Sequence, residues 1–264
     1  MSWSHYFAVA EERGSIAPSW PVRIFNFALA LLVVSLVFHY SFLRLDKPLQ
    51  WKSVYPYRTL FWNGWLTTIA ISAAALVLSV VIGLLSALAR RSRVLVLSYF
   101  ATIYVELERG TPLLVQILIY YFVVANAFGI NNRYLAGILI LSLFSGAYIS
   151  EIIRAGIESV GKSQLESARA IGLTRSQTYR YVIFPQALRQ TLPPLAGQFV
   201  SLVKDSSLLS IIAISEFTFN AENINATTYS TLESYLPLAA GYLVLTLPIS
   251  LWTRHLEKRH RFET

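Results

Sequence analysis

A lysine and an aspartate stand side by side in an apolar stretch of this sequence. Lys204 and Asp205 lie within residues 190–215, a segment that is otherwise long and apolar enough to cross a bilayer. Ionisable groups at membrane depth are costly and usually have a function. Asp205 could bind a cationic group of a solute, or Lys204 could pair with Asp205 or Glu151 and hold a helix break together. Both interpretations stay open at this point.

Other polar side chains interrupt the apolar segments and could line a polar path through a membrane. A single Ser or Thr in a helix commonly donates to a carbonyl of its own helix, so each is a weak indicator when taken alone. Glu151 with Arg154 is interpreted as a structural ion pair. The path candidates are Thr67, Thr68, Thr111, Gln116, Asn126, Glu151, Gln198, Lys204, Asp205, Ser206 and Ser207.

Residues 156–163 match the spacing of a phosphate-binding loop, G-x4-G-K-S. Such a loop must follow a buried strand and open a helix, so that its backbone N–H groups cradle phosphates. Here the match follows an apolar segment of membrane-helix length, and Glu158 would bring a negative charge close to the phosphates. We therefore predict that this chain does not itself bind nucleotide.

The composition is that of a membrane protein. Of 264 residues, 55% are hydrophobic and 14% are charged, whereas soluble domains have roughly 25% charged residues. The absence of cysteine excludes disulfides and thiolate metal sites, and the four histidines show no zinc-ligand spacing. A net charge of +8 would suggest a nucleic-acid partner for a soluble protein. In a membrane protein the location of the charges matters more, and no nucleic-acid partner is predicted.

Six segments are long and apolar enough for transmembrane helices, which predicts an all-α, polytopic membrane protein. The first is interpreted as an uncleaved anchor, because no small-residue cleavage site follows it. Lys and Arg are concentrated on the side of the termini, which predicts that both termini are cytoplasmic and that the acidic residues 216–233 are external. The predicted spans are 24–43, 59–89, a segment within 109–133, 133–156, 190–215 and 234–253.

The sizeable cytoplasmic loop, residues 157–189, is rich in charge and in helix formers. Leu165, Ala168 and Gly172 fall near one face of a short amphipathic helix by their spacing, with Gly172 as its stop. A second helix is predicted over 176–184, ending before Pro185, because proline disfavours a helical conformation at the preceding residue. The loop is therefore predicted to be a helix-turn-helix on which a soluble partner docks.

This loop resembles a known motif, the cytoplasmic EAA loop of the integral membrane subunits of bacterial ATP-binding-cassette importers. Ser167 replaces the middle alanine of the triplet, and Ser163 stands where a glycine is common. The matching residues are Glu166-Ser167-Ala168, then Gly172, then Val182-Ile183-Phe184-Pro185. The polar amino-acid branch of these importers is further indicated by residues 108–116, 147–151, 185–187 and 204–208, and the resemblance covers residues 59–257.

The resemblance implies a MetI-like type I transmembrane domain over 59–257. Residues 1–58 would hold a cytoplasmic segment, an extra span and an external loop, and residues 258–264 a basic tail. The chain would be the translocation subunit of an amino-acid importer in the bacterial inner membrane, and not an enzyme. The alternative is a secondary transporter driven by an ion gradient, for which the six spans show no visible internal duplication.

The resemblance also implies partners and site residues. The partners would be an ATPase dimer that binds the ATP, a second permease subunit, a solute-binding protein, the amino acid and the bilayer, and no cofactor or metal is expected on this chain. Asp205 would accept from the substrate ammonium, whereas Thr111, Gln116 and a broken-helix N-terminus would donate to its carboxylate. The coupling residues would be Glu166, Ser167, Ala168, Gly172 and Pro185, and the substrate-path residues Thr111, Gln116, Lys204, Asp205 and Ser206.

Overall fold

The computed structural model describes residues 20–44 and 49–260, with side chains as far as residue 255. The predicted segment before residue 20, residues 45–48 and the end of the basic tail lie outside the described residues. Every regular element within them is helical. The helices are α1 (Trp20–Leu43), α2 (Trp51–Val54), α3 (Arg58–Arg90), α4 (Leu95–Gly110), α5 (Leu113–Ile119, continued by a π-helical turn, Tyr120–Ala125), α6 (Arg133–Glu158), α7 (Lys162–Ala170), α8 (Arg175–Thr178, followed by a π-helical turn, Tyr179–Ile183), α9 (Phe184–Asp205, followed by a 3-10 segment, Ser206–Ile212), α10 (Phe217–Thr228) and α11 (Thr231–His260).

The chain divides after Leu49 into two units. The first contains α1, a 24-residue apolar helix without buried residues. The second begins at Gln50, whose backbone N–H donates to the Glu233 carboxylate, while the Ser53 and Ser230 hydroxyls share a hydrogen bond of 2.8 Å. Residues 50–58 lie within this second unit.

The predicted all-α, polytopic class is confirmed. The described residues contain five helices that are long and apolar enough to cross a membrane, or six spans if the bent pair α4–α5 counts as one. Helices α1, α3, α6 and α11 correspond to the predicted first, second, fourth and sixth spans.

The predicted third span is two helices instead of one. The chain bends by 114° between the helices Leu95–Gly110 and Leu113–Ala125. Thr111 between them is extended (φ −125°, ψ 150°), as expected for a residue before proline. The predicted segment, within 109–133, contains α5, and the sequence did not predict the helix α4 that precedes it across the break, because Glu106 and Glu108 interrupt the apolar pattern that marks the other spans.

The second helix of the predicted helix-turn-helix continues into the membrane. α8, its π-helical turn and α9 follow one another from Arg175 to Asp205. The prediction that this helix ends before Pro185 was therefore wrong. Pro185 lies in the first turn of α9, directly after the π-helical residues. Their wider winding changes the hydrogen-bond register at the place where the proline N–H is missing.

The most extensive helix contact joins α3 and α6. A Cβ atom added at Gly83 would lie 2.6 Å from Ile149 Cγ2 and 2.9 Å from the Gly146 carbonyl oxygen. Since lipid provides no hydrophobic drive between helices, close approach over small residues is what gives such pairs their packing energy. The small buried residues of α3 are Gly64, Thr68, Ser72, Ala75, Ser79, Gly83 and Ser86.

Replacing Gly83 by alanine should therefore destabilise the fold. The added methyl group overlaps the opposing helix, which costs on the order of 1–3 kcal/mol. We expect a lower thermal midpoint for the purified Gly83→Ala protein. Gly197→Ala is the matched control, since a Cβ atom there meets nothing within 4 Å and alanine is the better helix former. Equal midpoints for the two variants would contradict the packing argument.

Candidate coupling helix and polar path

The short helix α7 ends in a left-handed glycine, as its sequence predicts. Gly172 has φ +79°. Its N–H donates to the Arg169 carbonyl and the Leu173 N–H to the Ala168 carbonyl, both at 3.0 Å. These two bonds form a Schellman motif, which satisfies carbonyls that a helix end would leave unpaired. A residue with a β-carbon would be strained at this position.

The next helix, α8, begins shortly after this turn: only Leu173 separates Gly172 from Thr174, the residue before α8. Thr174 caps α8: its side chain accepts from the Gln177 N–H at 3.3 Å, and the Gln177 side chain accepts from the Thr174 N–H at 2.9 Å. This reciprocal pair is a capping box. The helix-turn-helix predicted from sequence is confirmed, with its second cap two residues earlier than expected.

The two faces of α7 differ in exposure. Ala168 is buried and Leu165 is half-buried, so these two side chains seat the helix on the protein. Glu166 and Ser167 are exposed. Ile171, at the C-terminal end of α7, is 76% exposed. An apolar residue this exposed beside a rigid turn is suited to insertion into a partner, and the sequence analysis did not single it out.

The predicted ion pair of Glu151 is confirmed and extended. Arg154 Nε donates to Glu151 Oε1 at 3.0 Å, Arg90 Nη1 reaches Oε2 at 2.6 Å, and Arg109 Nη1 lies 3.7 Å from Oε2. One carboxylate therefore ties α3 and α4 to α6. Arg154 also pairs with Glu158. Lys204 is exposed, and within the described residues it pairs neither with Glu151 nor with Asp205.

Thr111 and Gln116 complete the break between α4 and α5. Gln116 Nε2 donates to the Glu108 carbonyl at 2.8 Å and to Thr111 Oγ1 at 2.7 Å, while Thr111 Oγ1 donates to the Leu107 carbonyl at 2.9 Å. Tyr120 donates to Glu108 Oε1 at 2.6 Å. Glu108 and Gln116 are both buried.

Two acceptor oxygens in this cluster, Glu108 Oε2 and Gln116 Oε1, are buried and have no hydrogen-bond partner among the described residues. Sequence reasoning overlooked the roles of Glu108 and Tyr120. The signal for both was their spacing from Gln116. Glu108 lies eight residues before it, across Pro112, which bends the chain, and Tyr120 lies four residues after it.

Three further predicted path residues, Lys204, Asp205 and Ser206, lie at the far end of α9. Asp205 is its last residue and is half-buried. Ser206 begins the 3-10 segment and donates at 2.8 Å to the Val203 carbonyl, the local bond that a lone serine usually makes. No hydrogen bond within the described part of the chain joins Thr111 or Gln116 to Lys204 or Asp205. The two groups instead share apolar neighbours, because Leu113 and Ile117 of α5 pack in one cluster with Leu209 and Ile212.

The eight residues that match a phosphate loop do not form one loop. Gly156 lies inside α6, where a Cβ atom would fall 2.2 Å from Thr191 Cγ2, and Gly161 precedes α7. The segment before them is the membrane-length helix α6.

Glu216 is a fully buried carboxylate that the sequence analysis placed in an external segment. It precedes α10 and accepts from the N–H groups of Thr218 at 2.9 Å and Phe219 at 2.6 Å. Tyr242 and Thr68 donate to the same carboxylate at 3.2 and 3.4 Å. Glu216 therefore joins α10, α3 and α11. Burial raises its pKa to about 7 despite these donors.

Comparison with known proteins decides the family. Residues 79–262 match the family described as the binding-protein-dependent transport system inner membrane component. This chain belongs to that family. The resemblance found in the sequence is thus confirmed. The protein is a permease, which is a membrane component of a transport system and not an enzyme.

Curated relatives match this permease over most of their length. The probable glutamine ABC transporter permease protein GlnM of Bacillus subtilis (strain 168) is 38% identical over 201 residues, which are 76% of this chain and 93% of that protein. The glutamine transport system permease protein GlnP of Escherichia coli (strain K12) is 37% identical over 212 residues, which are 80% and 97% of the two chains.

Solved structures share the fold. A crystal structure of an amino acid ABC transporter with histidines aligns with a TM-score of 0.75 at 37% identity, covering 81% of the permease and all of that chain. An inward-facing structure of the MetNI methionine ABC transporter aligns with a TM-score of 0.64 at 17% identity, covering 78% and 99%, which shows the common fold alone.

The buried carboxylate makes the stability of the permease depend on pH. Since the pKa of Glu216 is near 7 when folded and about 4.5 as a free side chain, the folded state holds its proton more tightly. Protonation of Glu216 therefore contributes to the free energy of unfolding. This contribution is complete below about pH 4.5, falls as the pH rises toward 7 and is lost above that, a change of at most about 3 kcal/mol. Glu216→Gln should flatten this part of the profile, as measured by thermal midpoints between pH 5 and 8. Glu106→Gln, which replaces an exposed carboxylate of α4, is the control. A profile unchanged in Glu216→Gln would contradict the assignment.

Proposed function

We propose that this permease forms the translocation path of an ATP-driven importer for a polar amino acid and transmits movement from a separate ATPase through α7. The observation that carries the proposal is the succession of helices from Arg175 to Asp205, which follows the Gly172 turn of α7 and ends at one of the residues predicted for the substrate path. Glutamine is the first substrate to test, because two relatives at 37–38% identity are named as glutamine permeases.

The geometry makes α7 and this long helix a lever. At 1.5 Å per residue the helix spans roughly 45 Å. The Schellman turn and the capping box leave little freedom between α7 and the start of α8, so a displacement of α7 is passed on to α9. A packed helix pair can bias one of two arrangements in this way. The π-helical turn Tyr179–Ile183 is the place where the lever can change its winding.

The far end of the lever reaches the core of the bundle. Residues after Asp205 continue as a 3-10 segment whose Leu209 and Ile212 pack with Leu113 and Ile117 of α5. Moving α9 would therefore also move the broken pair α4–α5, with its buried Glu108 and Gln116. We infer that Thr111, Gln116, Lys204, Asp205 and Ser206 border the substrate path. Thr111 and Gln116 would shape the path by holding the break between α4 and α5, and Asp205 would attract the substrate by its charge.

The remaining partners follow from the same proposal. ATP would be bound by an ATPase dimer that receives Glu166, Ser167 and Ile171 in a cleft, with Ala168 and Pro185 fixing the helices behind them. A second permease subunit and a solute-binding protein on the opposite face would complete the importer. Both termini, α7 and the basic loops would then be cytoplasmic, since a cytosolic ATPase could not otherwise reach α7.

Coupling is tested at Gly172. Valine cannot adopt φ +79° without strain, so Gly172→Val should distort the end of α7 and reduce uptake and substrate-stimulated ATP hydrolysis at least tenfold, while membrane insertion is retained. Gly161→Val is the matched control, because Gly161 has an ordinary φ of −59°. A cysteine introduced at Ile171 should also cross-link to the ATPase in the assembled transporter. Normal coupled uptake in Gly172→Val, or no cross-link from position 171, would refute the docking and orientation.

The substrate path is tested at Asp205. Asp205→Asn keeps the shape of the side chain and removes its charge. Because Lys204 forms no ion pair within the described residues, the variant should assemble with the ATPase at an unchanged thermal midpoint, while uptake in vesicles falls at least tenfold. The double variant Lys204→Met, Asp205→Asn is the control. Recovery of both uptake and stability in the double variant would show a structural pair and remove Asp205 from the path.

A further inference from the structure

A basic cavity lies beside the candidate coupling helix α7. Its volume is about 670 Å³, and it is bounded by residues of α7, α8 and the turns that follow α3 and α6. Four cationic side chains line it: Arg91, Lys162, Arg169 and Arg175. Within the described residues none of the four forms an ion pair. The acidic residue of the lining, Glu158, already pairs with Arg154.

The positions of these cations on the helices are regular. Lys162, Leu165 and Arg169 are separated by three and four residues, so they share one face of α7, on which Lys162 and Arg169 are exposed. Tyr179 follows Arg175 by about one turn. Its hydroxyl accepts a hydrogen bond of 3.2 Å from Arg91 Nη2 at the end of α3. The cavity therefore gathers positive charge from three separate parts of the fold. All four side chains are exposed, so solvent screens much of their mutual repulsion, and an anion bound among them would reduce it further.

An apolar groove begins beside this cavity. It has a volume of about 630 Å³ and lies between α3 and α4, along Leu85, Leu88, Leu97 and Phe100. Ser92 lines the groove and Arg91 lines the basic cavity. Consecutive Cα atoms are about 3.8 Å apart. Each opening therefore has a lining residue at the end of α3, where a span of membrane length ends and headgroups begin.

We propose that these two features bind one anionic phospholipid, with its phosphate group in the basic cavity and an acyl chain in the α3–α4 groove. Basic cavities between membrane helices suit anionic headgroups, and each Lys or Arg at a membrane surface strengthens such binding about fivefold. The lipid would lie beside α7 and support the helix, while Glu166, Ser167 and Ile171 stay free for the ATPase. Phosphate is the shared chemistry of a lipid headgroup and a soluble anion, and the groove is what favours the lipid.

The test is lipid binding to the full-length permease. Native mass spectrometry would compare phosphatidylglycerol with phosphatidylethanolamine of the same acyl chains, in the wild type and in the double variant Arg91→Gln, Arg175→Gln. We expect preferential retention of phosphatidylglycerol by the wild type and a loss of at least about tenfold in the double variant. Arg189→Gln, an exposed arginine of α9 outside the cavity, is the matched control and should retain the lipid.

Further arms decide between the possible sources of the anion. Arg91→Lys, Arg175→Lys keeps the charge and should retain phosphatidylglycerol, which separates loss of binding from loss of folding. Equal retention of the two lipids by the wild type, or no effect of the glutamine variants, would overturn the proposal. Displacement by inorganic phosphate, with short-chain phosphatidylglycerol binding as well as the long-chain form, would assign the cavity to a soluble anion. Loss of ATPase co-purification in the glutamine variants without lipid selectivity would assign it to an acidic protein surface. Either result would also overturn the lipid assignment.

Discussion

The close approach of α3 and α6 is the constraint on which the rest of the structure depends. Gly83 and Gly146 bring the two backbones so near that a single methyl group at either would overlap the opposite helix. With these helices fixed, the Glu151 carboxylate can be reached by Arg90 from α3 and Arg109 from α4. The Tyr104 hydroxyl of α4 donates to the Leu143 carbonyl of α6 at 2.5 Å. Small residues thus set the distances within which the polar contacts form.

A second requirement is that backbone polar groups in an apolar phase find partners within the protein. The break at Thr111 and Pro112 frees carbonyls at the end of α4, and Gln116 returns to cover two of them. At the opposite break, the Glu216 carboxylate receives the first N–H groups of α10. At these two places a buried side chain therefore compensates for the irregular backbone. These two breaks can hold polar groups within the membrane, where a solute must pass.

The lever from α7 to Asp205 connects these breaks with the surface. Its outer end is rigid, because Gly172 and Thr174 close the turn with four local hydrogen bonds. Its inner end packs through Leu209 and Ile212 on the helix that follows the Thr111 break. In the proposed coupling, a displacement at Ile171 would reach buried polar groups through this helix, which changes its winding at the π-helical turn and contains Pro193 and Pro194. The basic cavity beside α7 lies where a bound anion would alter the stiffness of the outer end.

The sequence by itself determined the helical class, four of the spans, the turn at Gly172 and the family, because these depend on apolar length, local spacing and one conformationally special residue. It could not determine the split of the third span or the helix running through Pro185, since acidic residues interrupt the apolar pattern of α4 and a π-helical turn accommodates the proline. It also placed Glu216 in an external segment and left Lys204 between two roles. Only the tertiary structure showed that Glu216 is buried and that Lys204 forms no ion pair within the described residues, because burial and ion pairing depend on which distant residues the packing of α3, α6 and α11 brings within reach.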